Sequence, residues 1–366
     1  MGLFAPLQIG PHRLQNRIIM APLGRARADE SRAPTSIVDI YYAQRAGAGL
    51  IVSEATHISP MSNGRPGAAA HHLDSQNDAW TRVVSTLHHA GGLIFQQLYQ
   101  VGRKAHPSRL PGGAIPGAPS AVAAQGETPT ALGPQPFPVP RALAPREISA
   151  VVDEFRVAAR NAKRAGFDGV ELHGANGFLI DQFLRDGSNR RADIYGGAIY
   201  NRARFLLDVV DAVSSVFGAD RVGVRLSPHF RSDGIADSNP AATFSYAAAA
   251  LNERRIAYLH IVEGPPEASE FFPESPAKPL APLLREAFHG PLILAGGYDQ
   301  ASAETTIGSG LADAIAFGRL FIANPDLPER FRKGAPLNVP DPSTFYTGGA
   351  RGYIDYPSLP AVEAAE

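Results

Sequence analysis

Residues 169–178, GVELHGANGF, place a histidine and an asparagine three residues apart where an apolar strand-like run gives way to small residues. His173 and Asn176 would both lie at the same end of that strand, and each side chain can donate a hydrogen bond. Two donors delivered together suit a site that holds one oxygen atom and draws electrons towards it. In isolation, the pair is also consistent with buried polar groups that satisfy each other or with helix capping.

Glycines and an arginine follow two later apolar runs in a pattern that suits phosphate. Gly296 and Gly297 follow LILA, and Gly318 and Arg319 follow AIAF. Without a Cβ, backbone N–H groups can approach an anion closely, and a guanidinium adds a fixed fork of donors. The simpler alternative is that these glycines only form tight turns.

Arg225 and Gln97 are polar residues inside otherwise apolar runs, GVRLSP and FQQLYQ. A buried arginine needs an anionic or strongly accepting partner, which could be a ligand or a neighbouring carboxylate such as Glu171. Gln97 offers both a donor and an acceptor, which suits the imide edge of a flat heterocycle. Together with the phosphate pattern, these residues indicate an elongated phosphorylated heterocycle.

Eight apolar runs alternate with amphipathic stretches, and this alternation predicts an α/β fold. Strands that are apolar on both faces are typical of a parallel sheet covered by helices, and eight of them close a TIM (β/α)8 barrel. An open doubly wound sheet is the alternative, but no GxGxxG opens a strand–helix turn. The predicted strands are 17–23, 49–55, 93–100, 169–175, 222–228, 258–264, 292–297 and 314–320.

Three segments lie outside the eightfold plan, although residues 1–366 are expected to form one barrel domain. LQIGPHRLQNR, before the first strand, predicts a hairpin that plugs the barrel floor. Residues 101–144 contain nine prolines and follow the third strand, so we expect an ordered loop that caps the site. Residues 340–366 form a predicted C-terminal tail.

Composition excludes several classes of function. The net charge is −1 and no polybasic run occurs, so neither nucleic acid nor an acidic membrane is an expected partner. The chain has no cysteine, which excludes disulfides and thiol nucleophiles. The N-terminus lacks a secretory pattern and no run could span a bilayer, so we expect a cytoplasmic protein, monomeric or homodimeric.

The motifs APLGR, VSEAT, QQLYQVGR, VELHGANGFLIDQFL, AFGRLFIANPDL and FYTGGARGYIDYPSL resemble those of the Old Yellow Enzyme flavoproteins. The resemblance covers nearly the whole chain. It implies a TIM barrel that binds FMN noncovalently, is reduced by NADPH or NADH, and passes a hydride to a small-molecule activated alkene. No metal is implied. The family's H-x-x-N pattern implies that His173 and Asn176 hold the carbonyl or nitro oxygen of the substrate.

The same resemblance assigns the residues that contact FMN. Gln97 and Arg225 would meet the isoalloxazine ring, and the glycine loops would hold the phosphate. The implied contacts are Pro22, Leu23, Gly24, Ala55, Gln97 and Arg225 around the ring, with Gly297, Gly318 and Arg319 at the phosphate.

Several positions depart from the family pattern. The tyrosine that protonates the α-carbon in the family is replaced by Phe178, which has no transferable proton. Gly24 stands where relatives carry a threonine or cysteine beside the flavin, so we expect a lower reduction potential. Tyr99 and Gln100 replace a frequent Trp-His pair, and Arg65 replaces an aromatic residue, which favours a bulkier or anionic substrate.

Loss of the tyrosine leaves three outcomes open. Water or another hydroxyl, for instance that of Tyr353 in the C-terminal segment, could supply the proton. Protonation could instead be slow and stereochemically loose, or the enzyme could be a redox-neutral alkene isomerase.

Two further classes of function are less well supported. A glycosidase would use paired carboxylates among Glu54, Glu171 and Glu263, but that function leaves Arg225 and Gln97 without a role. A flavin-binding protein without turnover would not need the His-Asn pair.

Overall fold

The computed structural model describes residues 2–265 and 278–360. In chain order, its strands are β1 (Leu7–Ile9), β2 (His12–Leu14), β3 (Ile18–Met20), β4 (Leu50–Val52), β5 (Thr56–His57), β6 (Ile94–Tyr99), β7 (Gly117–Ala118), β8 (Glu127–Thr130), β9 (Gly133–Pro136), β10 (Arg141–Ala142), β11 (Gly169–Gly174), β12 (Val222–Leu226), β13 (Tyr258–Val262), β14 (Leu292–Ala295) and β15 (Ala314–Phe317).

Eight parallel strands form a closed barrel, so the predicted TIM barrel is confirmed. The strand order is β11, β12, β13, β14, β15, β3, β4, β6, and pairing of β6 with β11 closes the ring. Each of these strands falls within one of the eight predicted runs. The short β5 extends the sheet beside β6. Closure brings the carboxyl ends of all eight strands to one rim of the barrel.

Helices cover the outside of the barrel and bury their apolar stripes against the strands. In the long third helix, Ile148, Val151, Phe155, Ala158 and Ala162 recur at three- and four-residue spacing and are buried. The helices are α1 (Ser36–Ala43), α2 (Asp74–His89), α3 (Pro145–Arg164), α4 (Leu179–Leu184), α5 (Ile199–Arg202), α6 (Arg204–Phe217), α7 (Pro240–Glu253), α8 (Ala281–Ala287), α9 (Gln300–Gly308), α10 (Arg319–Ala323) and α11 (Leu327–Lys333).

The N-terminal hairpin closes the floor of the barrel, as predicted. Strands β1 and β2 pair antiparallel, and Ile9 and Leu14 belong to the same buried cluster as Phe95, Tyr258 and Ile293 on the barrel strands. The apolar interior therefore continues from the hairpin into the barrel. The hairpin therefore covers the amino ends of the strands.

Residues 101–144 are ordered around short 3-10 helices, a parallel pair formed by β7 and β10, and the hairpin of β8 and β9. Two arginines tie this segment to the barrel loops. Arg103 donates to the carbonyl of Asp233 (3.1 Å), and Arg191 donates to the carbonyl of Leu143 (2.7 Å). The segment is therefore fixed over the rim by hydrogen bonds to backbone oxygens.

The C-terminal segment returns to the barrel through two buried arginines. Arg25 donates to the carbonyls of Phe345 (3.1 Å) and Gly352 (2.8 Å), and Arg27 donates to that of Thr344 (2.9 Å). Residues 361–366 of the predicted tail lie outside the described residues. No helix in the described ranges is both long and apolar enough to cross a membrane.

The hairpin turn gives a test of how tightly the floor is packed. Gly10 has φ +51°, and a Cβ there would lie 1.9 Å from the carbonyl oxygen of Asp220. We expect Gly10→Ala to cost about 3 kcal/mol, from backbone strain and the clash together, which thermal unfolding would detect as a lowered Tm.

Gly133→Ala is the matched control. Gly133 also has a positive φ (+91°) next to a hairpin turn, at the start of β9, but a Cβ there meets nothing within 4 Å. It should cost only the backbone strain, about 1 kcal/mol. An equal loss in the two variants would show that the clash with Asp220 is absent.

Candidate active site

Two adjoining cavities open at the carboxyl ends of the barrel strands, and Pro22 and Arg225 line both. The glycine-lined cavity has a volume of about 860 Å³, and the histidine cavity has a volume of about 400 Å³. Of the residues predicted from sequence, Leu23, Gly296, Gly297, Gly318 and Arg319 line the first, and Gly24, Ala55, Arg65, Gln97, Tyr99, His173, Asn176 and Phe178 line the second.

The glycine-lined cavity has the features of an anion cradle. Gly296 and Gly297, directly after β14, have φ of +134° and +79°, which residues with a Cβ rarely adopt. Gly318 follows β15, and Arg319 lines the same cavity. The backbone of these two loops is therefore accessible to a ligand without intervening side chains, and a guanidinium stands beside it.

A buried carboxylate organises the polar interior next to these cavities. Glu171 accepts hydrogen bonds from Gln97 Nε2 (2.7 Å), His260 Nδ1 (2.8 Å) and the Tyr258 hydroxyl (3.1 Å). Burial raises the pKa of Glu171, but His260, Arg225 and Gln97 more than offset this, and the pKa lies below its ordinary value. Glu171 is therefore ionised, and its bond to Gln97 leaves the Gln97 carbonyl oxygen and one N–H for a ligand.

Arg225 is enclosed by the barrel but makes no ion pair with Glu171 in the described part of the chain. Its Nε atom is buried and has no hydrogen-bond partner there. Leaving a buried donor unsatisfied costs about 1–3 kcal/mol. Since Arg225 lines both cavities, this unsatisfied donor marks the junction as the place where an accepting ligand would bind.

His173 is a neutral imidazole with its proton on Nε2. The backbone N–H of Ala175 donates to His173 Nδ1 (3.3 Å), so Nδ1 is the acceptor nitrogen. Burial lowers the pKa of His173 well below its ordinary value, and the charges of Arg225 and Lys104 lower it further. The remaining nitrogen, Nε2, is then an N–H donor.

Asn176 stands at a left-handed turn, φ +57°, a conformation that asparagine tolerates better than most residues. Its backbone N–H donates to Ser227 Oγ (2.7 Å), and the next N–H, of Gly177, donates to Asp181 Oδ2 (2.9 Å). Asp181 in turn pairs with buried Arg185 (2.7 Å). These contacts fix the turn between β11 and α4 and hold Asn176 on the cavity wall.

Aromatic rings form the rest of that wall. The Phe178 ring lies edge-on to His173 (centroids 4.8 Å apart) and to Tyr99 (5.1 Å). The Tyr99 hydroxyl is not free, because it lies 3.1 Å from His57 Nε2, and burial lowers the pKa of His57 to about 3. The Tyr99 hydroxyl is therefore in hydrogen-bond contact with a neutral imidazole.

Tyr353 does not line either cavity. It is fully buried, stacked on Tyr41 at 4.1 Å, with the guanidinium of Arg27 4.7 Å from its ring. The tyrosine of this segment that approaches the rim is Tyr346, whose ring lies 4.2 Å from the guanidinium carbon of Arg65. Spacing alone does not distinguish the tyrosines of this segment, because the arginine anchors decide which of them turns inward.

Sequence reasoning also missed an ion pair in the histidine cavity, between Lys104 and Asp233. Lys104 follows β6 and Asp233 lies in the loop after β12, so only the fold brings them together. Glu127, Thr128 and Phe137, from the segment 101–144, also line this cavity. No motif in the sequence indicated these contacts.

The chain is similar to known proteins along almost its full length. Residues 2–338 match the model of the NADH:flavin oxidoreductase / NADH oxidase family. A protein of Leishmania infantum named "Probable flavin mononucleotide-dependent alkene reductase" is 43% identical over 362 residues, which cover 98% of this chain and 97% of the relative.

Two solved structures share both fold and sequence with the chain. Morphinone reductase in complex with tetrahydroNAD is 48% identical, with a TM-score of 0.93, over 99% of this chain and 98% of that one. The Old Yellow Enzyme homologue from Zymomonas mobilis is 45% identical, with a TM-score of 0.94, over 98% of this chain and 100% of that one. With its barrel and its adjoining cavities, the chain therefore belongs to the NADH:flavin oxidoreductase / NADH oxidase family, the Old Yellow Enzymes.

Proposed function

We propose that this protein reduces the activated C=C bond of α,β-unsaturated carbonyl or nitro compounds, with FMN as cofactor and NADH or NADPH as reductant. The observation that carries the proposal is the pair of donors on the wall of the histidine cavity, a neutral His173 and Asn176, beside the unsatisfied Nε of Arg225. The similarity to an alkene reductase and to morphinone reductase supports the same reaction class.

The residues present fit noncovalent FMN. The glycine loops after β14 and β15, with Arg319, would hold the phosphate, and Arg225 and Gln97 would meet the polar edge of the ring. Pro22, Leu23, Gly24 and Ala55 line the space between these groups. Bound FMN would accept a hydride from the nicotinamide and make it available to the alkene.

His173 and Asn176 would bind the substrate oxygen and polarise the alkene. As negative charge develops on that oxygen, two fixed N–H donors in an enclosed site stabilise it more than water would. A neutral imidazole suffices, because its task is to donate a hydrogen bond from Nε2. The edge-on contact with Phe178 and the bond from Ala175 keep that nitrogen in place.

A redox-neutral alkene isomerase is the second candidate. The observation that favours it is Phe178, which cannot protonate the α-carbon. In that reaction a hydride is transferred to the substrate and a hydride is later removed from it, so no NAD(P)H is consumed overall. The reductase and the isomerase are distinguished by the products.

An anaerobic titration of the purified protein, followed by its visible spectrum, tests the proposal. We expect a yellow flavin band that NADH or NADPH bleaches, and that a cyclic enone restores with formation of the saturated ketone. Parallel titrations with NADH and NADPH give the preferred reductant. Absence of flavin would refute FMN binding, and alkene migration without saturated product would favour the isomerase.

The oxygen-binding pair gives a second prediction. His173→Ala and Asn176→Ala should each lower kcat/KM for the enone about 100-fold, because each removes one donor from the developing oxyanion. His88→Ala is the control, since His88 is solvent-exposed and pairs with Asp168 outside both cavities. Wild-type rates in both cavity variants would exclude the proposed role of the pair.

Gly24 gives a third prediction, on the flavin itself. A Cβ at Gly24 meets nothing within 4 Å, so a larger side chain fits into the histidine cavity. Gly24→Thr would place a hydroxyl donor beside the cofactor and should raise the two-electron reduction potential by about 30 mV, the equivalent of one hydrogen bond to charge.

Gly24→Val is the matched control, because valine has the shape of threonine without the hydroxyl. Spectroelectrochemical titration of the three proteins gives the potentials. Equal shifts in the two variants would mean that bulk, and not the donor, sets the potential.

A further inference from the structure

The proposed reduction leaves one atom without a source, the proton for the α-carbon. Phe178 cannot supply it, and Tyr353 is buried away from the histidine cavity. The Tyr99 hydroxyl is turned towards His57, 3.1 Å away. His173 and Asn176 hold the substrate oxygen, so the proton has to come from another group on this wall or from water.

Few of the polar side chains that line the histidine cavity can donate a proton to the substrate. Arg65 does not release a proton at neutral pH, and Glu127 and Asp233 are acceptors when ionised. Thr128 has a hydroxyl, but that oxygen accepts a hydrogen bond from Arg109 (3.3 Å), and an aliphatic alcohol is a very weak acid. Lys104 is the remaining lining residue with a readily transferable proton among those that the structure describes.

Lys104 is held against the residue that replaces the family's tyrosine. Its Nζ lies 5.0 Å from the centroid of the Phe178 ring and 5.6 Å from that of Phe230. The ammonium pairs with Asp233 and donates to the carbonyl oxygen of Asn176 (3.3 Å). Two of its three N–H groups are therefore engaged, and the third is available to a substrate bound in the cavity.

We propose that Lys104 is the proton donor to the α-carbon, in the role that the family's tyrosine has and that Phe178 cannot fill. This inference rests on the proposed function. A hydride adds at the β-carbon, the π electrons move towards the oxygen bound by His173 and Asn176, and they return to form the Cα–H bond with the Lys104 proton. The neutral amine then takes a proton from water, which it can reach because 18% of the side chain is exposed.

Asp233 positions the ammonium for this transfer. Its backbone oxygen accepts bonds from Arg103 (3.1 Å) and from the N–H of Gln125 (2.9 Å) in the segment over the rim. Its side chain therefore holds the Lys104 ammonium from a fixed point in the loop after β12. The pair keeps a flexible four-carbon side chain within reach of one face of the substrate.

Lys104→Arg is the decisive variant. Arginine keeps the positive charge, the pairing with Asp233 and the contact with Phe178, but it does not give up its proton. In stopped-flow experiments, the rate at which 2-methylcyclohex-2-enone reoxidises the reduced flavin should fall about 100-fold. Any change in the rate of flavin reduction by NAD(P)H should be at least tenfold smaller than that. Lys104→Met should show a similar loss.

A phenol restored at position 178 should bypass the lysine. The double variant Lys104→Arg with Phe178→Tyr should reoxidise its flavin at least tenfold faster than Lys104→Arg alone. Stereochemistry gives an independent readout, because protonation of this enone creates a stereocentre at the α-carbon. A single turnover of the wild type should give one enantiomer in excess, and Lys104→Arg should lose that excess as water delivers the proton.

These experiments distinguish failure of the proposed reductase function from failure of the proposed role of Lys104. If the wild type does not reduce the enone at all, the proposed function fails. If the wild type reduces it and Lys104→Arg does so at the same rate and with the same stereochemistry, only the role of Lys104 is overturned. Loss in Lys104→Met with full activity in Lys104→Arg would assign the lysine a purely electrostatic role and would also overturn the proposal.

Discussion

The ionised carboxylate of Glu171, enclosed inside the barrel, is the constraint on which the rest of the site depends. An isolated buried carboxylate is strongly disfavoured, so its neighbours must compensate for the lost hydration. Gln97, Tyr258 and His260 do so with hydrogen bonds from β6 and β13, and Arg225 does so with charge from β12. Since Glu171 holds one end of Gln97, the ligand-facing end of that amide is oriented before any ligand arrives.

Burial and two nearby cations together set the state of His173. Arg225 and Lys104 both lower the pKa of His173, in addition to the larger effect of burial. Two positive charges beside a histidine keep it neutral, and the N–H of Ala175 then selects the Nε2–H form. The cavity wall therefore combines a neutral histidine with two full positive charges close enough to act on it.

The barrel could be predicted from the sequence because its physical requirements are local. Parallel strands buried on both faces are apolar throughout, and glycines at the ends of the seventh and eighth barrel strands mark backbone that a ligand can approach. The roles of Lys104 and Tyr353 could not be predicted in this way. The position of Lys104 depends on Asp233, far away in sequence, and the burial of Tyr353 depends on the anchoring of its segment by Arg25 and Arg27.

The replacement of a tyrosine by Phe178 has a physical consequence beyond the lost hydroxyl. The Phe178 ring stands perpendicular to His173 and has the Lys104 ammonium over its face, 5.0 Å from the centroid. An ammonium above an aromatic face is stabilised in a partly desolvated place where it would otherwise be costly. Phe178 and Asp233 together therefore make a charged lysine tolerable in the cavity. The proton donor on this wall is therefore Lys104, in the segment that covers the rim, and not the residue at position 178 that follows the His-Asn turn.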